Sequence, residues 1–499
     1  MRVVIIGSGF GGLATGVRLA AKGHDVTILE QRDRPGGRGY VYKQDGFTFD
    51  GGPTVITAPW MIEDLFTLAG RAPRDYVQMV PVAPFYRVFF HDGDVIDYTG
   101  DQERMEAAIR RLTGSDADIP GYRRFVAMSE RIFDKGFTEL ADTPFLRFSD
   151  MAKVAPALIQ LQSYRTVYGL VSRYVQNERL RQVLTFHPLL VGGNPFQTTS
   201  IYALIHHLER NWGVWFAMGG TGALIDALVR LFGELGGTLE CNVPVATILT
   251  EGRRATGVRL TDGREIAADV VVSNADVATT YTRLLKDAPR RWNADWRYAR
   301  MRYSMSLVVI YFGTDRQYRG TDGPELKHHD IILGPRYKGL LDDIFHRKTL
   351  ADDFSLYLHC PTLTDPSLAP PGCDAFYVLA PVPHLGGATD WATAARPYRD
   401  QIMRFLEERY LPDLSRHIVT ERMIDPRHFQ DTLGSYLGSA FSVEPILTQS
   451  AWFRPHNRSQ DVENLYFVGA GTHPGAGIPG VLSSAAIADD LISGLPETG

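Results

Sequence analysis

The sequence predicts an α/β protein: a parallel sheet assembled from both ends of the chain, a mixed-sheet domain inserted between them, and a helical region within the insert. Arg2–Ile6 reads as a buried strand, Leu13–Lys22 as a helix and Asp25–Leu29 as a second strand. That βαβ order implies a parallel sheet with helices on its faces. The far end repeats strand, glycine-rich loop and helix in NLYFVGAGTHPGAGIPGVLSSAAIADDLISGL.

The 499 residues exceed one ordinary core. A composition 44% hydrophobic and 22% charged is that of a globular protein, and a net charge of −5 gives no reason to expect a nucleic-acid partner. Cys241, Cys360 and Cys373 are scattered and match no metal spacing, so no metal is expected, and scarce cysteine points to a reducing compartment. The apolar start MRVVIIGSGF is too short for a signal segment and runs directly into glycines, so it reads as a strand and no secretion is expected. No apolar run approaches the roughly 20 residues that span a bilayer. Any membrane work is therefore expected at the surface.

Asp101–Gly136 is charged and irregularly helical. From Ser149 onward, Leu161, Tyr164, Tyr168, Val171 and Val175 form a helical stripe with Lys153, Arg165 and Arg173 interleaved. The stripe reads first as a core-facing helix with solvated charges; the sharper reading is a helix that dips its apolar and aromatic face into lipid headgroups. After Gly219-Gly220-Thr221-Gly222 come a helix over Ala223–Leu235 and a strand from Thr238. Val245–Leu249, Gly257–Leu260 and Glu265–Val272 follow as strands, with Asp262-Gly263 as a hairpin turn. SLVVIYFG, HDIILG, FSLYLH and AFYVLAPV then suggest a second sheet. The resulting division is 1–80, 219–285 and 451–499 for the sheet built from the chain ends. Residues 81–148 and 286–450 form the insert, and 149–218 its helical, membrane-facing part.

Gly7-Ser8-Gly9-Phe10-Gly11-Gly12 is a G-x-G-x-x-G between a strand and a helix. Gly7 permits the tight turn, Gly9 lets backbone approach a pyrophosphate, and Gly12 lets helix and strand pack closely. The phosphates would meet the free N–H groups of the helix start. Glu30 closes the second strand, where a ribose-binding acid belongs. This is a Rossmann-type dinucleotide site. Gln31 and Arg32 follow, then Gly36, Gly37 and Arg38, a segment that suits FAD rather than NAD: paired glycines for close approach and an arginine for phosphate. Gly469, Ala470 and Gly471 offer a second backbone approach before the last helix. Val245 and Ile478 complete the expected FAD-binding set.

The chain resembles the bacterial phytoene desaturase (carotenoid desaturase) family, within the amine-oxidase-like flavoproteins. LEQRDRPGGRGYVY and NLYFVGAGTHPGAGIPGV are shared with many FAD relatives. GFTFDGGPTVIT, LLVGGNPFQTTSIYALIHHLE, GVWFAMGGTGAL and FSVEPILTQSAWFRPHNR carry the narrower likeness. Ala217-Met218 departs from the Pro-Arg expected there in close relatives.

The resemblance implies stepwise removal of hydrogen from phytoene, a forty-carbon hydrocarbon, toward lycopene through desaturated intermediates. A hydride would go to flavin and a proton leave the neighbouring carbon, with quinone or oxygen as final acceptor. It also implies a cytoplasmic protein attached peripherally to the inner face of the cell membrane. Burial at about 0.8 kcal/mol per methylene is the only force available to hold such a substrate.

His473 is the side chain placed to assist as a base, or else to brace its loop by hydrogen bonding. Asp150 and Lys153 are weaker candidates, since Ser149-Asp150 reads as a helix start with an acid in its first turn. An amine oxidase and a non-redox prenyl-lipid-binding protein of the same fold are the rival readings.

Gly9→Val is expected to abolish FAD binding by blocking close approach to the pyrophosphate. Undiminished FAD retention in the purified variant would remove this loop from the site.

Overall fold

The computed structural model describes residues 1–495. The last four residues of the expected segment 451–499 lie outside it.

Five parallel strands form the nucleotide-binding sheet, in the order Leu465–Phe467, Val270–Ser273, Arg2–Ile6, Asp25–Leu29 and Thr238–Glu240. Both chain ends therefore meet in one sheet, as expected. Side chains alternate across a strand, and here the alternation serves two cores. Val3, Ile5, Val26, Ile28, Val270 and Val272 pack under the helices Phe10–Ala21, Gly220–Glu234 and Ile478–Ser493. Val4, Ile6, Leu29, Val271 and Phe467 pack on the other side against an antiparallel meander. Burial on both faces is why these strands read as unbroken apolar runs.

The meander comprises Val245–Glu251, Arg254–Leu260 and Glu265–Ala267, with Gly263 in the turn at φ +90°. The single strand expected over Glu265–Val272 is in fact two. The chain leaves the meander at Ala268 and enters the parallel sheet at Val270. Asp269 marks the change by accepting from the Arg2 N–H at 2.7 Å.

The insert carries a seven-stranded sheet in the order Ile418–Ile424, Ser306–Thr314, Asp374–Val382, Leu356–His359, His329–Leu333, Tyr86–Phe90 and Val95–Tyr98. All its pairings are antiparallel except His329–Leu333 with Tyr86–Phe90. Val308, Ile310 and Phe312 face the helix Trp391–Arg409, whereas Leu307, Val309 and Tyr311 face the largest core and its cavity.

The irregular segment 101–136 resolves into helices Gln102–Thr113 and Ile119–Phe133. The continuous stripe from Leu161 to Val175 does not form. Helix Phe148–Gln160 ends just before Leu161, and only the short helix Val167–Val171 follows. Leu161, Val171 and Val175 are buried, Tyr168 donates to Glu178, and Tyr164 alone stands out in solvent. Trp212 and Phe216 also turn inward: Trp212 stacks on Trp60 and Phe133, and Phe216 lies in the strand Val214–Ala217. Ala217 is buried, and Met218 packs partly buried against the largest core.

Candidate active site

The N-terminal loop is closed by backbone. Gly7 N–H donates to Leu29 O at 2.8 Å, and Gly7 adopts φ +92°. A Cβ on Gly12 would stand 2.1 Å from Gly7 O, so no side chain fits. A Cβ on Gly11 would meet Gly469 N at 3.1 Å, which puts the loops from the two chain ends in contact. Asn274 wedges between them, its amide oxygen accepting from Gly9 and Gly12 N–H at 3.2 and 3.3 Å. Gly37 approaches from a third side: at φ +56°, its added Cβ would lie 3.2 Å from Gly9 Cα.

Glu30 is buried. It accepts from Ser8 N–H (2.9 Å), Ser8 Oγ–H (2.6 Å) and Arg32 N–H (3.0 Å), which aims the carboxylate along the cavity wall. Arg38 donates to Ser435 Oγ at 2.9 Å, but its Nε is buried without a partner where the residue lines the cavity. Burial lowers its pKa, opposed by Asp276. Arg32 instead stacks 3.6 Å from the Tyr40 ring, and Gln31 ties its amide to Thr432 O.

Gly7, Gly9, Phe10, Gly11, Glu30, Gln31, Arg32, Gly37, Arg38, Val245, Gly469, Ala470, His473 and Ile478 all border one cavity of about 580 Å³. Gly12 and Gly471 stand outside it. A Cβ on Gly471 would press on Val277 Cγ1 at 2.8 Å, so its smallness serves packing.

The N–H groups of Phe10 and Gly11 at the helix start, one carboxylate and a guanidinium with an unpartnered Nε fit a dinucleotide pyrophosphate and ribose. Several of its parts escaped the sequence reading. Ser8 and Asn274 were legible in principle: SNAD follows a parallel strand beside the first one, and ligands bind at the carboxyl ends of such strands. Arg454 was not legible. Fully buried, it donates to Thr472 O (2.9 Å) and Ala470 O (2.7 Å), while Asn457 donates to His473 O at 2.8 Å. These two side chains brace the C-terminal loop, a task expected of the His473 ring. That ring has no hydrogen-bond partner, packs edge-on to Phe145, and is pushed down by burial to about 3, which makes it a weak base. Asp150 caps its helix by accepting from Arg147 N–H at 3.0 Å, and Lys153 is exposed.

Beyond the cradle the cavity is walled by Leu189, Leu190, Met305, Leu307, Val309 and Tyr311. Two buried carboxyls border it. Burial raises Asp50 to about 6, and Gly222 N–H donates to it at 3.4 Å. Glu209 is raised by burial to about 7 while accepting from Tyr86 O–H at 2.6 Å. Its other oxygen lies 3.1 Å from His187 Nε2, and burial holds that imidazole near 3, so the histidine brings no positive charge to the contact.

Parallel sheet, glycine cradle and adjoining apolar cavity together define an FAD-dependent oxidoreductase. The family model described as flavin containing amine oxidoreductase matches residues 10–491. The chain is 54% identical to the lycopene-forming phytoene desaturase of Pseudescherichia vulneris, over 98% of this chain and 99% of that one. It is 52% identical to the lycopene-forming phytoene desaturase of Pantoea ananas, over 96% of each. A solved putrescine oxidase variant shares the fold at a TM-score of 0.65, with 15% identity over 99% of both chains. The chain belongs to the bacterial phytoene desaturase family, within the flavin-containing amine oxidoreductases.

Two outcomes follow from this geometry. Glu30→Ala should weaken FAD binding by about 1.5–3 kcal/mol, roughly ten- to a hundredfold in Kd. An unchanged constant on titrating the apoprotein would leave Glu30 a structural acid only. Glu209 has the opposite sign to a salt-bridged acid. Unfolded, it releases its proton near 4.5, and folded, near 7. Stability is therefore lost as pH rises through that window and stays lower above it. Glu209→Gln should flatten this decline in a series of thermal melts, and a decline of undiminished size would assign it to other groups.

Proposed function

We propose that this protein desaturates phytoene in successive steps to lycopene, collecting its substrate from a membrane surface. The observation that carries this is a dinucleotide cradle opening directly into an apolar cavity that ends beneath exposed hydrophobic side chains.

Bound FAD supplies the two-electron acceptor. Glu30 would hold the adenosine ribose, and the N–H groups of Phe10 and Gly11 with Arg38 would hold the phosphates. The sheet residues Leu307, Val309 and Tyr311 with Leu189 and Leu190 exclude water and orient a hydrocarbon by contact alone. Burial makes Asp50 and Glu209 weaker acids than usual, at about 6 and about 7.

No helix of the described residues is long and apolar enough to cross a membrane. The cavity is also bordered by Ala141, Phe145, Met151, Leu158, Leu447 and Ala451. Over the same place lies helix Phe148–Gln160, none of whose residues is buried. Phe148 is 59% exposed, Ile159 63% and Tyr164 57%, with Phe453 beside them and Arg147 and Lys153 nearby. Aromatic and basic side chains in that combination favour a headgroup interface. The reading is peripheral attachment at the inner face of the cell membrane, in the cytoplasm, with a quinone or oxygen taking the electrons.

Incubation with FAD and phytoene-bearing liposomes should yield lycopene on chromatography, and unconverted phytoene with fully flavinylated protein would overturn the activity. Phe148→Glu with Ile159→Glu should abolish liposome flotation while FAD stays bound. Full flotation of that variant would move the membrane contact elsewhere.

A further inference from the structure

The sheet of the insert holds three imidazoles that the reaction above does not use. His329 and His359 are direct cross-strand partners in the antiparallel pair His329–Leu333 and Leu356–His359. Register therefore places both rings on one face, with centroids 5.3 Å apart and planes 18° from parallel. His328 precedes the strand, and its carbonyl accepts from Cys360 N–H at 3.1 Å. That anchor turns its ring edge-on to the other two, at 4.5 and 4.8 Å. All three residues are buried, and none borders the cavity.

The hydrogen-bond partners accommodate one set of tautomers that leaves every Nε2 free. His328 Nδ1 is 2.6 Å from Thr364 Oγ1. His329 Nδ1 is 2.6 Å, and His359 Nδ1 3.3 Å, from the Tyr357 hydroxyl. That hydroxyl also lies 3.1 Å from Thr54 Oγ1. A phenol has one proton and accepts two bonds. Both Nδ1–H groups can donate to Tyr357 oxygen while its own proton goes to Thr54, and His328 Nδ1–H donates to Thr364. Every Nε2 is then a bare lone pair, and all three Nε2 atoms are buried without a hydrogen-bond partner.

We infer that His328, His329 and His359 form a binding site for a divalent transition metal of zinc's class, set behind the cavity wall. One ring nitrogen from each lies within 4.8 Å of the others. Bonds of about 2.0–2.1 Å at tetrahedral angles put ligands about 3.4 Å apart, so the widest pair closes by at most about 1.4 Å. Neutral imidazoles favour zinc, copper, cobalt or nickel over magnesium or calcium. Oxygen acceptors on Nδ1 are the arrangement that orients ligating histidines. The ion would also fix Tyr357, whose hydroxyl joins the Thr54–Tyr377 pair on the cavity wall.

The test uses the FAD-loaded protein, stripped with EDTA, exposed to Zn2+ and desalted. Elemental analysis should then find about one zinc per chain, and X-ray absorption should give three nitrogen ligands at about 2.0 Å. His359→Ala and the milder His328→Asn should each lose the zinc while keeping flavin absorbance. Flavin-loaded wild type that retains no zinc overturns the proposal. So does zinc in an oxygen-rich shell, or zinc that persists in both variants. Should a variant fail to fold, the ligand count in wild type decides.

Discussion

The molecule depends on one place where backbone meets backbone: Gly11 from the start of the chain, Gly469 from its end, and Asn274 between them. Side chains are excluded on both loops, so the contact exists only because two glycines and one amide occupy those positions. It joins the first, fourth and last strands of the parallel sheet at their carboxyl ends. Everything in the insert is thereby a closed loop of chain anchored at both feet. The cavity hangs beneath that junction, which is why one continuous space runs from the glycine cradle to the exposed helix Phe148–Gln160.

Much of this was legible in the sequence, for a physical reason. Strands buried on both faces leave unbroken apolar runs, and a glycine loop between such a strand and a helix has few alternative uses. Glu30 and Arg38 were legible because their distance along the chain from that loop is fixed. The stripe from Leu161 to Val175 misled because a period near 3.6 was read through residues that sit on separate elements. Leu161, Val171 and Val175 are core residues reached from different directions. The apolar surface belongs to the preceding helix, whose exposed Phe148 and Ile159 do not differ in type from core residues. Arg454 and the histidine cluster were invisible for a third reason: their roles arise only from register and from loops that meet in space.

Burial is the common currency of the site, and it acts differently on each group. It makes Arg38 a cation short of partners, turned toward where phosphate would lie. It pushes Asp50 and Glu209 toward neutrality and leaves His473 and His187 uncharged. Beyond the cradle the walls formed by Leu189, Leu190, Met305, Leu307 and Val309 offer shape and dryness, which suits a hydrocarbon with no polar handle.

The order of strands in the parallel sheet also bears on how the protein is made. Its central strand, Arg2–Ile6, is made before its edge strand, Leu465–Phe467, with more than 450 residues between them. Until that final strand docks, Gly469 and Ala470 are absent from the cradle and the apolar walls of the insert have no closed cavity to line. Contacts this distant in sequence form slowly, and exposed hydrophobic surface in the interval invites aggregation. A cradle that takes Gly11 from one end of the chain and Gly469 from the other is complete only in the closed sheet. A ligand that needs both loops therefore favours that closed state by mass action.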